Sequence, residues 1–177
     1  MRGNLLSLAC SNGDETCLEG AYQRFKSWID DPTKVIHPNL RSLVYQYGIK
    51  KAGYDEWEIL LNRYMNELNA SEKKKMLSGL CSTDKDWIVH RFLRLSKNET
   101  VVRSQDYFTA LMYIARNPSS LQIVWTHVKE NWEYLVDRFT LNNRYLGRMV
   151  KYIGTEFTTE FELKDVSILK IDTHLSI

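Results

Sequence analysis

The sequence predicts an all-α chain whose helices pair antiparallel through short connections. Apolar residues recur at helical spacing along almost the whole length, and Ser, Asn, Asp, Gly and Pro clusters punctuate the runs. Convincing strand character is absent until the last dozen residues. Tryptophans at 28, 57, 87 and 125 fall inside successive helical runs, at the ~30–50-residue interval of stacked helical units. Together these favour an α-solenoid of HEAT or armadillo type over a closed bundle, incomplete at its C-terminus.

Each element follows from its own signals. Leu5 to Cys10 reads as the end of a helix stopped by Ser11-Asn12-Gly13. Asp14 can cap the next, which carries Leu18, Tyr22, Phe25, Trp28 and Ile29 on one stripe until Asp31-Pro32. Pro38 is placed as the first helical residue of the helix 39–51, and Gly53 closes that helix. Residues 54–68 repeat the theme through Trp57, Leu60, Leu61, Tyr64 and Leu68. Ser71-Glu72 opens a helix through Leu80, and Asp84 caps one bearing Trp87, Ile88, Phe92 and Leu95. Residues 103–116 end at Asn117-Pro118. One long helix follows to Phe139, then helices over 142–153 and 160–166, which makes about ten in all.

The stretch 121–150 organises the chain. Val124, Trp125, Val128, Trp132, Leu135 and Phe139 form its apolar face, with Lys129, Glu130, Glu133 and Asp137 opposite. Asn142-Asn143 then signals a turn and cap, and Leu146, Met149, Val150 and Ile153 restart the period. Arg144 and Arg148, four residues apart, share one side of this new helix near its start. Cations there oppose the helix macrodipole, so the position wants positive charge for another purpose. A salt bridge to a neighbouring helix is the plain reading, and a carboxylate ligand the sharper one.

The 177 residues suffice for one ordinary domain with a sizeable core, and 44% hydrophobic with 26% charged residues is a globular composition. A net charge of +2, with Lys73-Lys74-Lys75 as the only charge run, gives nucleic acid no support. No apolar run reaches membrane-spanning length, and the N-terminus lacks a secretory signal's apolar segment. Two features point to an oxidising compartment all the same. Asn69-Ala70-Ser71 and Asn98-Glu99-Thr100 are glycosylation sequons, and Cys10 and Cys17 are close enough for a local disulfide across a helix–helix turn. Chance sequons and ordinary cytosolic thiols are the bland alternatives.

Catalytic signatures are missing. His37, His90, His127 and His174 form no H-E-x-x-H pair, and no Gly-rich phosphate loop or G-x-S-x-G elbow occurs. His127 and Glu130 are three apart on a helix, which reads as a surface His–Glu contact because a di-metal bundle needs a second such pair. No catalytic residue and no metal ligand is assigned.

Five segments in order carry a resemblance: NLLSLACSNGDETC, IHPNLRSLVYQYGI, EKKKMLSGLCSTDKDWIVHRFL, RSQDYFTALMYIARNP and VWTHVKENWEYLVDRFTLNNRYLGRMV. They resemble the C-terminal helical domain of the aminopeptidase N and glutamyl aminopeptidase family, nearest to its glutamyl branch. The resemblance runs from Gly3 to Asp165, giving a helical domain at 1–166 and a divergent tail at 167–177 that resembles an alternative or truncated end. It implies a zinc metallopeptidase removing N-terminal residues from peptides, with zinc held in an upstream catalytic domain and no cofactor in this chain. Cys10–Cys17 matches a family disulfide, while Cys81 stands alone because Gln46 occupies its partner's position. Arg144 matches a reader of acidic substrate side chains, and Arg148 a supporting charge or an ion-pair member.

The resemblance also implies partners and place. Peptide substrate, the catalytic domain of the parent aminopeptidase and a second copy in a homodimer are the expected partners, without nucleic acid. The expected location is the outer face of the plasma membrane or the secretory pathway. The chain would enclose substrate and shape specificity, being inactive alone. The alternative is a non-catalytic helical-repeat scaffold or isoform that binds a protein such as the full-length enzyme.

Overall fold

The computed structural model describes residues 2–31, 33–140 and 143–173, with side chains omitted for 2–4 and 168–173. Pro32, Asn142 and the last residues of the tail, His174 included, lie outside the described residues. Among the described residues the chain is all α-helix apart from one 3-10 turn, and no strand occurs. The order is α1 (Arg2–Ser11), α2 (Glu15–Asp30), the 3-10 turn Pro38–Leu40, α3 (Arg41–Lys51), α4 (Tyr54–Asn66), α5 (Ala70–Leu80) and α6 (Asp86–Ser96). There follow α7 (Ser104–Ala115), α8 (Pro118–Glu130), α9 (Trp132–Phe139), α10 (Arg144–Glu156) and α11 (Glu160–Thr173). The four tryptophans of the spaced series fall on α2, α4, α6 and α8, one to each helix pair.

The chain divides into two compact units, Met1–Ile88 and Val89–Ile177, with the boundary inside α6. In the first, α3 packs between α2 and α5, and α4 lies against α5. Asp14 caps α2 by accepting from the Cys17 N–H at 2.7 Å, and Gly13, at φ 80°, makes the turn before it that a side chain would strain. The end of α2 is closed from α4. The Arg63 guanidinium donates to the Trp28 and Ile29 carbonyls at 2.9 and 2.8 Å and lies 4.1 Å from the Trp28 ring. Phe25, Tyr45, Trp57, Leu60 and Leu77 are fully buried between these helices.

Glycine sets the separation. A Cβ on Gly48 of α3 would sit 2.4 Å from the Phe25 Cβ, and one on Gly79 of α5 would sit 2.8 Å from the Tyr45 Cβ. Both neighbours are the fixed stems of their side chains, so these backbones are as close as they can be. Glu72 is buried beside them. It accepts from Tyr45 Oη at 2.7 Å and pairs with Arg41 and Lys75, each at 3.2 Å. Burial works against its charge, but those three donors outweigh it and hold the carboxyl below its usual range.

In the second unit α7, α8 and α10 pack together, with α9 against α8 and α11 against α10. Aromatics fill the interior. Tyr107 and Phe108 of α7 meet Phe139 of α9 at centroid distances of 5.4 and 4.6 Å. Trp125 is fully buried, sets its edge against Phe157 and donates its indole N–H to Asp165 of α11 at 2.8 Å.

Four expectations need correction. The predicted single helix through Phe139 is two, broken at Asn131. The Asn131 backbone N–H and carboxamide both donate to the His127 carbonyl, at 3.2 and 2.7 Å, and close the end of α8 there. Leu68 lies past the end of α4 and is 97% exposed, and Trp87 is exposed on α6 rather than buried. The last helix, predicted to stop at Val166, continues to Thr173, with no Gly or Pro between those residues to end it.

Candidate functional site

The two predicted substrate-binding arginines lie on α10, whose start is built by Asn143. Its side-chain oxygen accepts from the Tyr145 and Leu146 N–H groups at 2.9 and 3.4 Å, satisfying two of the helix's open donors. Arg144 is then the first helical residue. Leu146, Met149, Val150 and Ile153 are wholly buried and face α7, α8 and α11. Arg144, Arg148 and Lys151 fall on the opposite, exposed side of the helix.

Their partners are few. Among the described residues, neither Arg144 nor Arg148 comes within salt-bridge distance of a carboxylate. The Arg148 guanidinium lies 5.9 Å from the Tyr145 ring, a weak cation–π contact. The salt bridge that was the plain reading of Arg144 is therefore not made here. An unpaired cation in the first turn of a helix is disfavoured by the helix's own field, typically by ~0.3–1 kcal/mol.

A second polar cluster was missed. The Arg138 guanidinium of α9 donates to the Lys97 carbonyl, Glu99 and Ser104 at 2.9, 2.8 and 2.9 Å and reaches the Tyr134 hydroxyl. It also stacks 4.8 Å from Phe139. Nearby, the His127 ring contacts Tyr107 Oη at 3.1 Å and the Asn131 carboxamide at 3.3 Å, and that carboxamide also receives Lys97. His127 is thus half-buried among α7 and α9 and makes no bond to Glu130, which corrects the surface-pair reading. Burial first, and the charges of Lys97 and His90 next, push its pKa down to about 4. Only the i,i+4 spacings His127–Asn131 and Tyr134–Arg138 hinted at this web in the sequence.

The remaining predicted residues are placed as follows. Cys10 and Cys17 are joined in a disulfide, with Cα atoms 5.2 Å apart, across the turn between α1 and α2. Cys81 is a buried thiol at the end of α5, and Gln46 of α3 donates to Ser78 one turn before it at 2.6 Å. Asn69 and Asn98 are both exposed. Asn69 caps α5 through its side-chain oxygen, and Asn98 accepts from the Thr100 N–H and hydroxyl at 3.0 and 2.9 Å in a tight turn. Among the described residues no group of three His, Cys, Asp or Glu side chains could hold a metal ion, so this donor set does not fit zinc. No described helix is long and apolar enough to cross a membrane.

Comparison with known proteins fits this helical frame. Glutamyl aminopeptidase of Bos taurus is 40% identical over 164 residues, which cover 92% of this chain and 17% of the relative. The Homo sapiens glutamyl aminopeptidase is 38% identical over the same shares, and aminopeptidase N of Oryctolagus cuniculus is 32% identical over 96% of the chain and 18% of its own length. The chain thus spans less than a fifth of the curated relatives it matches. With a family model matching residues 1–174, the chain belongs to the ERAP1-like C-terminal domain family, a helical domain of aminopeptidases.

Proposed function

We propose that the chain is the substrate-enclosing and specificity domain of a zinc metallo-aminopeptidase that removes acidic N-terminal residues from peptides. The observation that carries the proposal is Arg144, exposed at the first position of α10, without a carboxylate partner among the described residues, in a chain 40% identical to a glutamyl aminopeptidase. A guanidinium offers two parallel N–H donors to a carboxylate, and a desolvated pair of this kind rejects neutral side chains. Arg148, one turn on, adds positive potential on the same side. Zinc and the peptide-cleaving groups belong to a catalytic domain elsewhere in the parent enzyme, at the cell surface or in the secretory pathway, and no residue of this chain is assigned to the metal.

In a parent aminopeptidase carrying this domain, Arg144→Ala is expected to lower kcat/KM for N-terminal glutamyl substrates about tenfold to a hundredfold. Activity on neutral substrates should hold. An unchanged acidic preference sinks the pocket role. The 177 residues alone, given zinc and a glutamyl substrate, should show no turnover; genuine turnover would overthrow the division of labour. Asn69 and Asn98 are proposed as glycan acceptors, checked by the mass change on enzymatic deglycosylation of secreted protein.

The second reading, a non-catalytic scaffold for a protein partner, draws on exposed Leu5, Leu8 and Phe161, which are 67%, 60% and 77% accessible. A stable monomer with one sharp melt supports an independent scaffold. Association only with a catalytic domain supports the first reading.

A further inference from the structure

Two adjoining cavities open within the first unit, remote in function from the α10 arginines. One, of about 290 Å³, is walled by Leu6, Ala9, Ala21, Leu43 and Val44 of α1, α2 and α3. Its single carboxylate, Asp14, is already engaged as the cap of α2. The other, of about 450 Å³, is lined by Gln23, Ser27, Lys34 and His37 and by no acidic residue. Arg24 and Leu40 line both, so the apolar hollow and the basic one share a wall at these two residues.

The basic groups there are not consumed by the fold. Arg24 donates from one nitrogen to the Gly20 carbonyl at 2.9 Å, and among the described residues no carboxylate pairs with it, with Lys34 or with His37. Asp31, the acidic residue nearest Lys34 in sequence, accepts from the Thr33 N–H and hydroxyl at 3.0 and 2.7 Å, and feels the Lys34 charge without forming an ion pair with it. The His37 ring accepts from the Asn39 N–H through Nδ1, which leaves Nε2 to carry the ring proton as a donor. Three cationic or donor side chains with unspent hydrogen bonds thus border a hollow that adjoins one almost wholly of hydrocarbon. Ligand sites have this make-up: apolar walls with a few convergent polar groups, and volumes upward of ~300 Å³.

We infer that these adjoining cavities bind an aliphatic monocarboxylate across their shared edge at Arg24. Its chain fills the apolar hollow beneath Leu6 and Val44, and its carboxylate meets Arg24, Lys34 and His37. Charge complementarity selects the head group, since an alcohol of equal length would leave the guanidinium without an anion. Burial selects the tail, each added methylene strengthening binding about fourfold until the hollow is full.

Calorimetric titration of the 177-residue chain near neutral pH tests this, with decanoate as the probe and octanoate, decanol and acetate as controls. Decanoate is expected to bind about fifteenfold tighter than octanoate and at least about tenfold tighter than decanol or acetate. Arg24→Gln should weaken decanoate about tenfold while leaving decanol and the melting temperature unchanged. Lys34→Gln, on the exposed loop, gives the same reading if the first variant melts early. No binding of decanoate, equal binding of decanoate and decanol, or decanoate affinity indifferent to both variants would each overturn the inference.

Discussion

The two units keep their helices together by different means. In the first, glycine brings backbones to contact at Gly48 and Gly79, and buried charge is neutralised locally around Glu72. In the second, neither Gly147 nor Gly154 makes so close an approach; aromatic rings fill the space, as they also do in the first, and a web around Arg138 and His127 ties α7, α8 and α9 together. The difference separates structural charge from available charge. Arg41, Arg63 and Arg138 all have acceptors within their own unit, whereas Arg144 has none among the described residues. An arginine without an acceptor, in a unit where Arg138 has four, is a candidate for ligand contact.

The largest test removes the ring that most fills the second unit. Trp125→Ala should cost about 3–5 kcal/mol, because it empties a fully buried site and leaves Asp165 without its indole donor. Loss of hydrogen-exchange protection in α8 and α11 is the readout. A cost below about 1 kcal/mol would mean that the web, rather than the aromatics, holds the unit.

The converse test adds a single methyl to the first unit. Gly48→Ala should destabilise by about 2–3 kcal/mol, since the new Cβ meets the stem of Phe25 and not a movable tip. Denaturant unfolding measures it. A neutral or stabilising result, as helix propensity alone predicts, would show that α2 and α3 are free to separate.

The smallest effect is in pH. His127 has its pKa pushed down to about 4 in the fold, against 6.5 for the free side chain. Between these values the unfolded chain binds a proton that the folded one refuses, so stability falls as pH drops from about 6.5 toward 4. The ring is partly exposed, which reduces the loss to about 1–2 kcal/mol. In His127→Gln, melting temperature should vary less over that window. An identical pH profile would assign the acid sensitivity to other groups.

Helix starts were the most legible part of the fold. Asp14 and Asn143 each cap through a short side chain acting over two or three residues, as their positions in the sequence suggest, whereas Asn69 caps α5 ahead of the expected Ser71-Glu72 start and Asn117, read as a helix end, caps α8. The break at Asn131 was not legible. Apolar periodicity runs straight through it, and only the contact with His127 shows where the helix stops. Trp87 misled for the opposite reason, since its spacing fits a buried stripe that the tertiary packing leaves open. The position of Arg144 at a helix start could be read from the Asn143 signal, but its lack of a partner required the neighbouring helices. Arg24, Lys34 and His37 gave no local sign at all, because a loop brings them to one cavity.

Gly48 and Gly79 also decide how the first unit can deform. Sliding α3 along α2 by one turn would bring Val44 or Ala52 to the place where only a hydrogen fits against Phe25, and sliding it along α5 would drive Tyr45 past Gly79 into bulkier neighbours. Shear between these three helices is therefore closed off, and compliance is left to their connecting loops. Any signal passing through them would travel as a rigid tilt and not as a change of register.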